Sequence, residues 1–399
     1  MSNNILLIAF DYLPAQNPGV ERTHKFARYL KEFGWQPIVL TVNASTYDLE
    51  QKDFIDDEHV YRTFCIDVSK HLAYKGKYFS WLKQPDRYVG WALTAIPKGL
   101  KLIKQYKPKV IWSTFPVLTS HCIAFSLSKL TGIPWLADYR DPLQSYYDKS
   151  VYKKEKLTRW LDKLVIQHCS KVVTVTEGSL QLYRQIHPDQ AKDKFICIGN
   201  GFDQSNFTDL VGDDEITSNT FELYHGGSLY KTGRDPSIIL YAIAHLVNAG
   251  SITQGDLKLT LEGMNNQNIY QPLVDQLAIN DFVFFSAQVS SSKALVNMRR
   301  ANLLIVVQGE VFNNQIPSKV YEYLATDLPI IALTPEKSET ASLIKEHKGC
   351  FCTESITALA KQLTAFMSET NKRYCRDTSK YERRSRTREL VDVLEPFIQ

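Results

Sequence analysis

Short apolar runs rich in β-branched and aromatic residues recur along the chain, separated by stretches of helical periodicity. In the first half the runs are Ile5–Phe10, Ile38–Val42, Val110–Ser113, Trp135–Asp138, Val172–Val175 and Phe195–Ile198. After the first of them, Val20, Thr23, Ala27 and Leu30 repeat at helical spacing, as do Phe26, Leu30 and Phe33. Gly34 then stands where a glycine commonly closes a helix. Unbroken apolar runs predict strands buried on both faces, and the amphipathic stretches between them predict the covering helices of a parallel sheet.

The second half repeats the scheme with Phe221–His225, Leu257–Glu262, Phe282–Phe285, Leu303–Val307, Ile330–Leu333 and Gly349–Cys352. Between the halves, Asp203–Thr220 carries a Gly-Asp-Asp-Glu stretch without apolar period and reads as a linker. The expectation is an α/β chain of two doubly wound domains facing a cleft, residues 1–203 and 221–378. Residues 204–220 join them, and a terminal helix covers 379–399. Ligands of such sheets sit beyond the C-terminal strand ends, so the loops there hold the candidate chemistry.

Composition narrows the classes. With 399 residues, 44% hydrophobic and 23% charged, the chain is globular and suits two domains of roughly 150–200 residues. A formal charge of +4 is too mild for a nucleic-acid binder driven by overall charge. Seven cysteines lie scattered without metal-ligand spacing, and Cys350 and Cys352 alternate along one strand, so reduced thiols in the cytoplasm are expected. The opening segment lacks a basic leader and cleavage pattern, and no run approaches the ~18 apolar residues of a spanning helix. A secreted or membrane-spanning protein is therefore not expected.

Five loops carry the signal. The first, Asp11 to Val20, holds one glycine, Gly19, where a dinucleotide fingerprint needs three, which weakens a nicotinamide oxidoreductase. Gly19 either lets the backbone approach an anion or punctuates an ordinary turn. The second, Asp138-Tyr139-Arg140-Asp141-Pro142, gathers three charges at a strand end, either as an Arg140–carboxylate lock or as cleft-lining groups. The third, Gly199-Asn200-Gly201-Phe202-Asp203, reads as a tight turn at the domain junction. The fourth runs from His225-Gly226-Gly227 to Lys231 and Arg234, either a diphosphate clamp or a solvated turn. In the fifth, Pro317 and Ser318 open a short helix that also carries Lys319 and Glu322. Ser318 and Glu322 share a face, so Glu322 either accepts from a diol such as ribose or sits in a structural ion pair.

In this order the loops resemble the nucleotide-sugar-dependent glycosyltransferases of the GT-B fold, two facing Rossmann-like domains, and specifically the family-4-like retaining enzymes of bacterial surface polysaccharide and lipid-linked sugar pathways. The resemblance rests on Asn17-Pro18-Gly19, the segment 135–142, the turn 199–203, the loops 226–230 and 233–236, and Ile316 to Leu324. It implies a UDP- or GDP-sugar donor bound mainly by the C-terminal domain, with Gly19, Gly227, Lys231, Asn314, Pro317, Ser318 and Glu322 around it. Glu322 matches the second Glu of the family's E-x7-E pattern, which holds ribose hydroxyls. The first Glu is replaced by Asn314, with Glu310 nearby. Arg234, with Lys231 or Lys319, matches the cations that neutralise the departing diphosphate. Arg234, Lys319 and Asp138 are the catalytic candidates, and the acceptor would face the N-terminal domain near Asp138, Arg140 and Asp141. The resemblance implies that the last helix crosses back to the first domain. It implies no cofactor and no protein base, because a leaving phosphate oxygen takes the acceptor's proton. No Asp-x-Asp stands at a strand end, so no metal is expected, and Asp213-Asp214-Glu215 reads as a solvated acidic turn.

One further pattern concerns the surroundings of the acceptor. Residues 70–109 hold ten basic side chains against one acid, Asp86, with Tyr74, Tyr78, Phe79, Trp81, Tyr88 and Trp91 interleaved. Lys149, Lys153, Lys154, Lys156 and Arg159 follow with Tyr146, Tyr147, Tyr152 and Trp160. Such segments suit an anionic membrane surface. The same composition suits RNA, but no RNA-binding motif accompanies it, and a solvated helix face explains any single lysine. The expected activity is sugar transfer to a lipid-linked or polysaccharide (oligosaccharide) acceptor, on the inner face of the membrane and without nucleic acid. A non-catalytic subunit that binds nucleotide sugar is the alternative, motivated by Asn314.

Overall fold

The computed structural model describes all residues except 1–2, 16–17, 49–56, 76, 148–150, 152–154, 209–219, 265–266, 370–371 and 399. The chain divides into two compact units, residues 1–200 with 383–399, and residues 201–382.

Unit 1 is built on seven strands: β1 Asn3–Ile8, β2 Trp35–Val42, β3 Val60–Thr63, β4 Val110–Thr114, β5 Trp135–Tyr139, β6 Lys171–Thr174 and β7 Phe195–Cys197. They lie in the order β3-β2-β1-β4-β5-β6-β7, and every neighbouring pair is parallel. Apolar alternation places Leu6 and Ile8 in one core and Ile5 and Leu7 in the other. A strand with both faces buried needs the unbroken apolar sequence seen here. The first helix, Pro18–Leu30, tightens into a turn over Lys31–Phe33 and is closed by Gly34 at φ 79°, where a side chain would be strained. The helix Arg383–Leu394 belongs to this unit and packs Leu390, Val391 and Leu394 into the core of Ile5, Phe26, Leu30 and Trp112.

Unit 2 holds six strands: β8 Phe221–Gly226, β9 Leu257–Glu262, β10 Val283–Ser286, β11 Leu303–Val307, β12 Ile330–Leu333 and β13 Cys350–Cys352. Their order is β10-β9-β8-β11-β12-β13, again parallel throughout. Leu303, Ile305 and Val307 enter one core and Leu304 and Val306 the other. Both sheets are thus doubly wound, each with a switch in strand order, β1 to β4 and β8 to β11, where loops diverge and ligands settle.

Several expectations shift. The pattern missed β3, an edge strand whose four residues are only half-buried. The apolar run Ile5–Phe10 outlasts its strand, because burial continues to Phe10 after pairing ends at Ile8. The stretch expected as a plain linker begins with a one-turn helix, Ser205–Thr208, where Asp203 accepts from the Ser205 amide and hydroxyl at 2.9 and 2.7 Å. Asp213-Asp214-Glu215 lies outside the described residues. All seven cysteines are free.

Candidate functional site

In unit 2 the loops after β8 and β11 diverge at the switch in strand order and hold five of the expected residues. The imidazole of His225, the last residue but one of β8, is buried, and its Nδ1 lies 2.9 Å from the Ile305 carbonyl oxygen of β11. A methyl placed on Gly227 would stand 3.7 Å from His225 Nε2 and 3.7 Å from Lys319 Cε. Lys319 therefore reaches back from the helix Ser318–Leu324 to the glycine pair. Burial, and then the Lys319 and Arg234 cations, push the His225 pKa down to about 4. The site so formed holds a neutral imidazole beside two cations.

Arg234 is held by carbon as much as by polar groups. Its guanidinium carbon lies 5.7 Å from the Tyr230 ring centre and 5.5 Å from that of Phe312, a paired cation–π arrangement. Its Nε is buried without a hydrogen-bond partner among the described residues. Two backbone bonds between Tyr230 and Arg234, 3.0 and 3.1 Å, close the loop. The Gly309 amide donates to the Gly233 carbonyl at 2.7 Å, which joins this loop to the one after β11. Gly233 sits at φ +90°, and a Cβ there would come within 2.4 Å of Val311 Cγ2. Only glycine fits that crossing. Lys231, by contrast, is exposed.

Gln308 organises the second loop. It is 1% exposed, and its Nε2 donates to the carbonyls of Phe312 at 2.6 Å and Gln315 at 2.8 Å, while Thr340 donates to its Oε1. The loop so fixed delivers Asn314, Pro317 and Ser318, all half-buried, to the start of the helix. Further along that helix, the Tyr323 hydroxyl accepts from the Gly226 amide at 3.0 Å. Burial raises the Tyr323 and Tyr224 pKa values far above the usual range, and the half-buried Glu322 carboxylate adds to both shifts. Glu322 is thus close enough to Tyr224 of β8 to act on its hydroxyl. Glu310 is exposed.

Unit 1 treats its expected residues differently. Asp138 is fully buried at the end of β5 and takes two bonds from Arg22, Nε to Oδ2 at 2.8 Å and Nη2 to Oδ1 at 2.9 Å. The lock anticipated with Arg140 is therefore made by Arg22, and the pair joins the end of β5 to the first helix. Arg22 also donates to the carbonyls of Ile198 and Gly199, both at 3.0 Å, and so fixes the turn after β7. Arg140 faces Asp11 at 3.8 Å, and Asp141 is half-buried. Gly19 is buried at the second position of the first helix, while Asn17 lies outside the described residues. Nothing in the sequence marked Arg22 or Gln308, and His225 stood out only as the start of the fourth loop, since each acts through strand ends that only the fold brings together. Sequence reading also missed Asp162, which accepts from the Tyr139 and Tyr146 hydroxyls at 2.5 Å each.

Lys149, Tyr152, Lys153 and Lys154 lie outside the described residues. Among the described residues no group of three or more His, Cys, Asp or Glu could hold a metal ion, and no helix is long and apolar enough to cross a membrane.

The model of Glycosyltransferase Family 4 matches residues 19–206. No curated protein matches the sequence. Among solved structures, sucrose-phosphate synthase from Thermosynechococcus elongatus superposes with a TM-score of 0.60 at 15% identity, over 100% of this chain and 96% of its own. HepE of Anabaena in complex with UDP-glucose gives 0.61 at 14%, over 98% and 99%. The N-terminal domain of trehalose-6-phosphate phosphatase from Candida albicans gives 0.66 at 13%, over 98% and 94%. At such identities the likeness is one of fold. Two doubly wound sheets in tandem give the chain the GT-B fold, and over the first of them residues 19–206 match the model of Glycosyltransferase Family 4.

Proposed function

We propose that the protein is a retaining glycosyltransferase that moves a sugar from a UDP- or GDP-sugar to a lipid-linked or polysaccharide acceptor at the inner face of the cell membrane. The observation that carries the reading is Lys319 standing against Gly227 at the end of β8, with Arg234 near enough to help lower the pKa of the adjoining His225. Two cations beside a backbone free of side chains suit a diphosphate. The UDP-glucose held by the similarly folded HepE supports a nucleotide sugar as the ligand. In this reading Glu322 accepts from the ribose hydroxyls, Pro317, Ser318 and Gly227 border the phosphates, and Lys231 approaches from the loop tip. Asn314 faces the donor sugar. Gly19 counts with the donor-binding residues, and Arg140 and Asp141 with the acceptor side, all three in unit 1.

The chemistry follows from charge. The glycosyl–phosphate bond breaks through an oxocarbenium-like state, and negative charge accumulates on the departing diphosphate. Arg234 and Lys319 stabilise that charge more in the transition state than in the ground state. A phosphate oxygen of the leaving group takes the acceptor's proton. No metal step is invoked, so turnover is expected to persist in EDTA.

A thermal-shift screen of nucleotide sugars, followed by product assays with each hit, tests the reading, since a ligand bound only by the folded form raises Tm. Asn314 favours one second reading, a subunit that binds the nucleotide sugar without transferring it. Calorimetric binding of UDP or GDP without product from any donor would select that reading.

A further inference from the structure

Unit 1 exposes large apolar side chains together, along one stretch. Tyr74, Phe79 and Trp81 are 78%, 71% and 68% exposed. Apolar residues scattered singly over a surface are ordinary, but a contiguous exposed group marks a contact. The Phe79 and Trp81 rings lie 6.4 Å apart.

The stretch rests on a built base. Thr119 donates its amide and hydroxyl to the Asp86 carboxylate at 2.8 and 2.9 Å, and the Val68 amide donates to the Arg87 carbonyl at 2.9 Å. Thr158 Oγ1 donates to Gln84 Oε1 at 2.8 Å, which ties the stretch to the helix Lys156–His168. That helix also exposes Leu157 and Trp160. Trp160, two residues past the buried Thr158, lies on the opposite face of that helix, so the apolar tips that stand together are those of residues 74–81.

Charge identifies the partner. Asp86 is the one acid over residues 70–109, and its carboxylate is hydrogen-bonded to Thr119. Among the described residues no carboxylate pairs with Lys75, Lys77 or Lys83. The ammonium groups of Lys75 and Lys83 lie over the Tyr74 and Tyr78 rings at 5.7 and 5.6 Å. Aromatic tips set among uncompensated lysines match a lipid interface, where rings settle at headgroup depth and ammonium groups meet phosphate.

We propose that Phe79 and Trp81 insert into an anionic lipid surface while Lys75, Lys77 and Lys83 lie against its phosphates, so that unit 1 docks the protein on a membrane without spanning it. Flotation of the full chain with vesicles of phosphatidylglycerol and phosphatidylcholine in equal parts tests this. Binding is expected there, and about tenfold weaker binding to phosphatidylcholine alone. The exposed double variant Phe79→Ser with Trp81→Ser, and the triple variant Lys75→Glu, Lys77→Glu and Lys83→Glu, should each lose about tenfold or more in vesicle affinity with unchanged circular dichroism and Tm. Three outcomes would overturn the proposal: unaltered affinity in the double variant, no binding of the wild type to either vesicle, or binding of a single-stranded RNA without binding of vesicles. A dimer dissolved by the double variant, with no vesicle binding, would assign the patch to a second copy of the chain and also overturn it. The assay uses no donor and no residue of unit 2, so its failure is distinct from failure of the donor-site reading.

Discussion

Arg22 and Asp138 meet through two parallel hydrogen bonds with side chains 1% and 0% exposed, a fork-to-fork pair between the first helix and the end of β5. The remaining donors of Arg22 hold the carbonyls of Ile198 and Gly199, so one guanidinium ties the first helix to the ends of β5 and β7. Removing one partner of a buried pair strands the other's charge. Asp138→Ala is expected to destabilise unit 1 by about 3–5 kcal/mol, read by urea denaturation followed through a unit 1 signal. If the variant unfolds at the wild-type midpoint, the pair does not hold the strand ends together.

For transfer, Arg234→Ala should lower kcat by about 10²- to 10³-fold, the range for loss of one group that stabilises developing charge. Glu322→Ala should chiefly weaken donor binding, seen as a raised donor KM. Both side chains are only half-buried, so melting curves should stay near wild type. Full turnover in both variants would remove the donor site from this loop cluster.

Gly233→Ala offers a sharper test of how Arg234 is positioned. The new methyl would overlap Val311 and Phe312, and the backbone at φ +90° disfavours any side chain. The expected cost is about 1–3 kcal/mol of local strain, met by displacement of the Tyr230–Arg234 loop. Activity should fall toward that of Arg234→Ala while the overall melt changes little. A variant with wild-type kcat would show that the loop need not be held in this conformation.

Acid sensitivity should come from buried imidazoles. Burial lowers the pKa of His121 to about 3 and that of His225 to about 4, against 6.5 for the free group. Below pH 6.5 the unfolded chain binds a proton at each position that the folded chain refuses, so stability falls as pH drops toward 4. The loss is about 2 kcal/mol per histidine between pH 7 and 5. His121→Asn should flatten that slope, measured by urea midpoints at the two pH values. An unchanged slope would mean that the imidazole titrates alike in both states.

Much of the fold was legible because parallel strands buried on both faces announce themselves as apolar runs. Leu303–Val307 and Ile330–Leu333 coincide with their runs. Val60–Thr63 does not announce itself, since an edge strand with Arg62 among its four residues has no apolar period. In the candidate site, glycines and cations were visible at strand ends, as with Gly227, Arg234 and Lys319. The residues that fix them were not. Gln308 and His225 are ordinary polar residues until the loop after β11 folds back on one and β11 pairs beside the other. Arg22 on a helix reads as a surface charge, and its burial is set by carbonyls more than 170 positions later in the sequence.

The helix Arg383–Leu394 carries a consequence for synthesis. Leu390 and Leu394 complete the core formed around Ile5 and Trp112. A nascent chain that has just delivered residue 200 still lacks this plug, and the part of the core beside the first helix that it covers stays open to water while the next 182 residues of unit 2 are made. Unit 1 is thus sealed only after unit 2 has been made, and loss of residues 383–394 would be felt around Ile5 and Trp112.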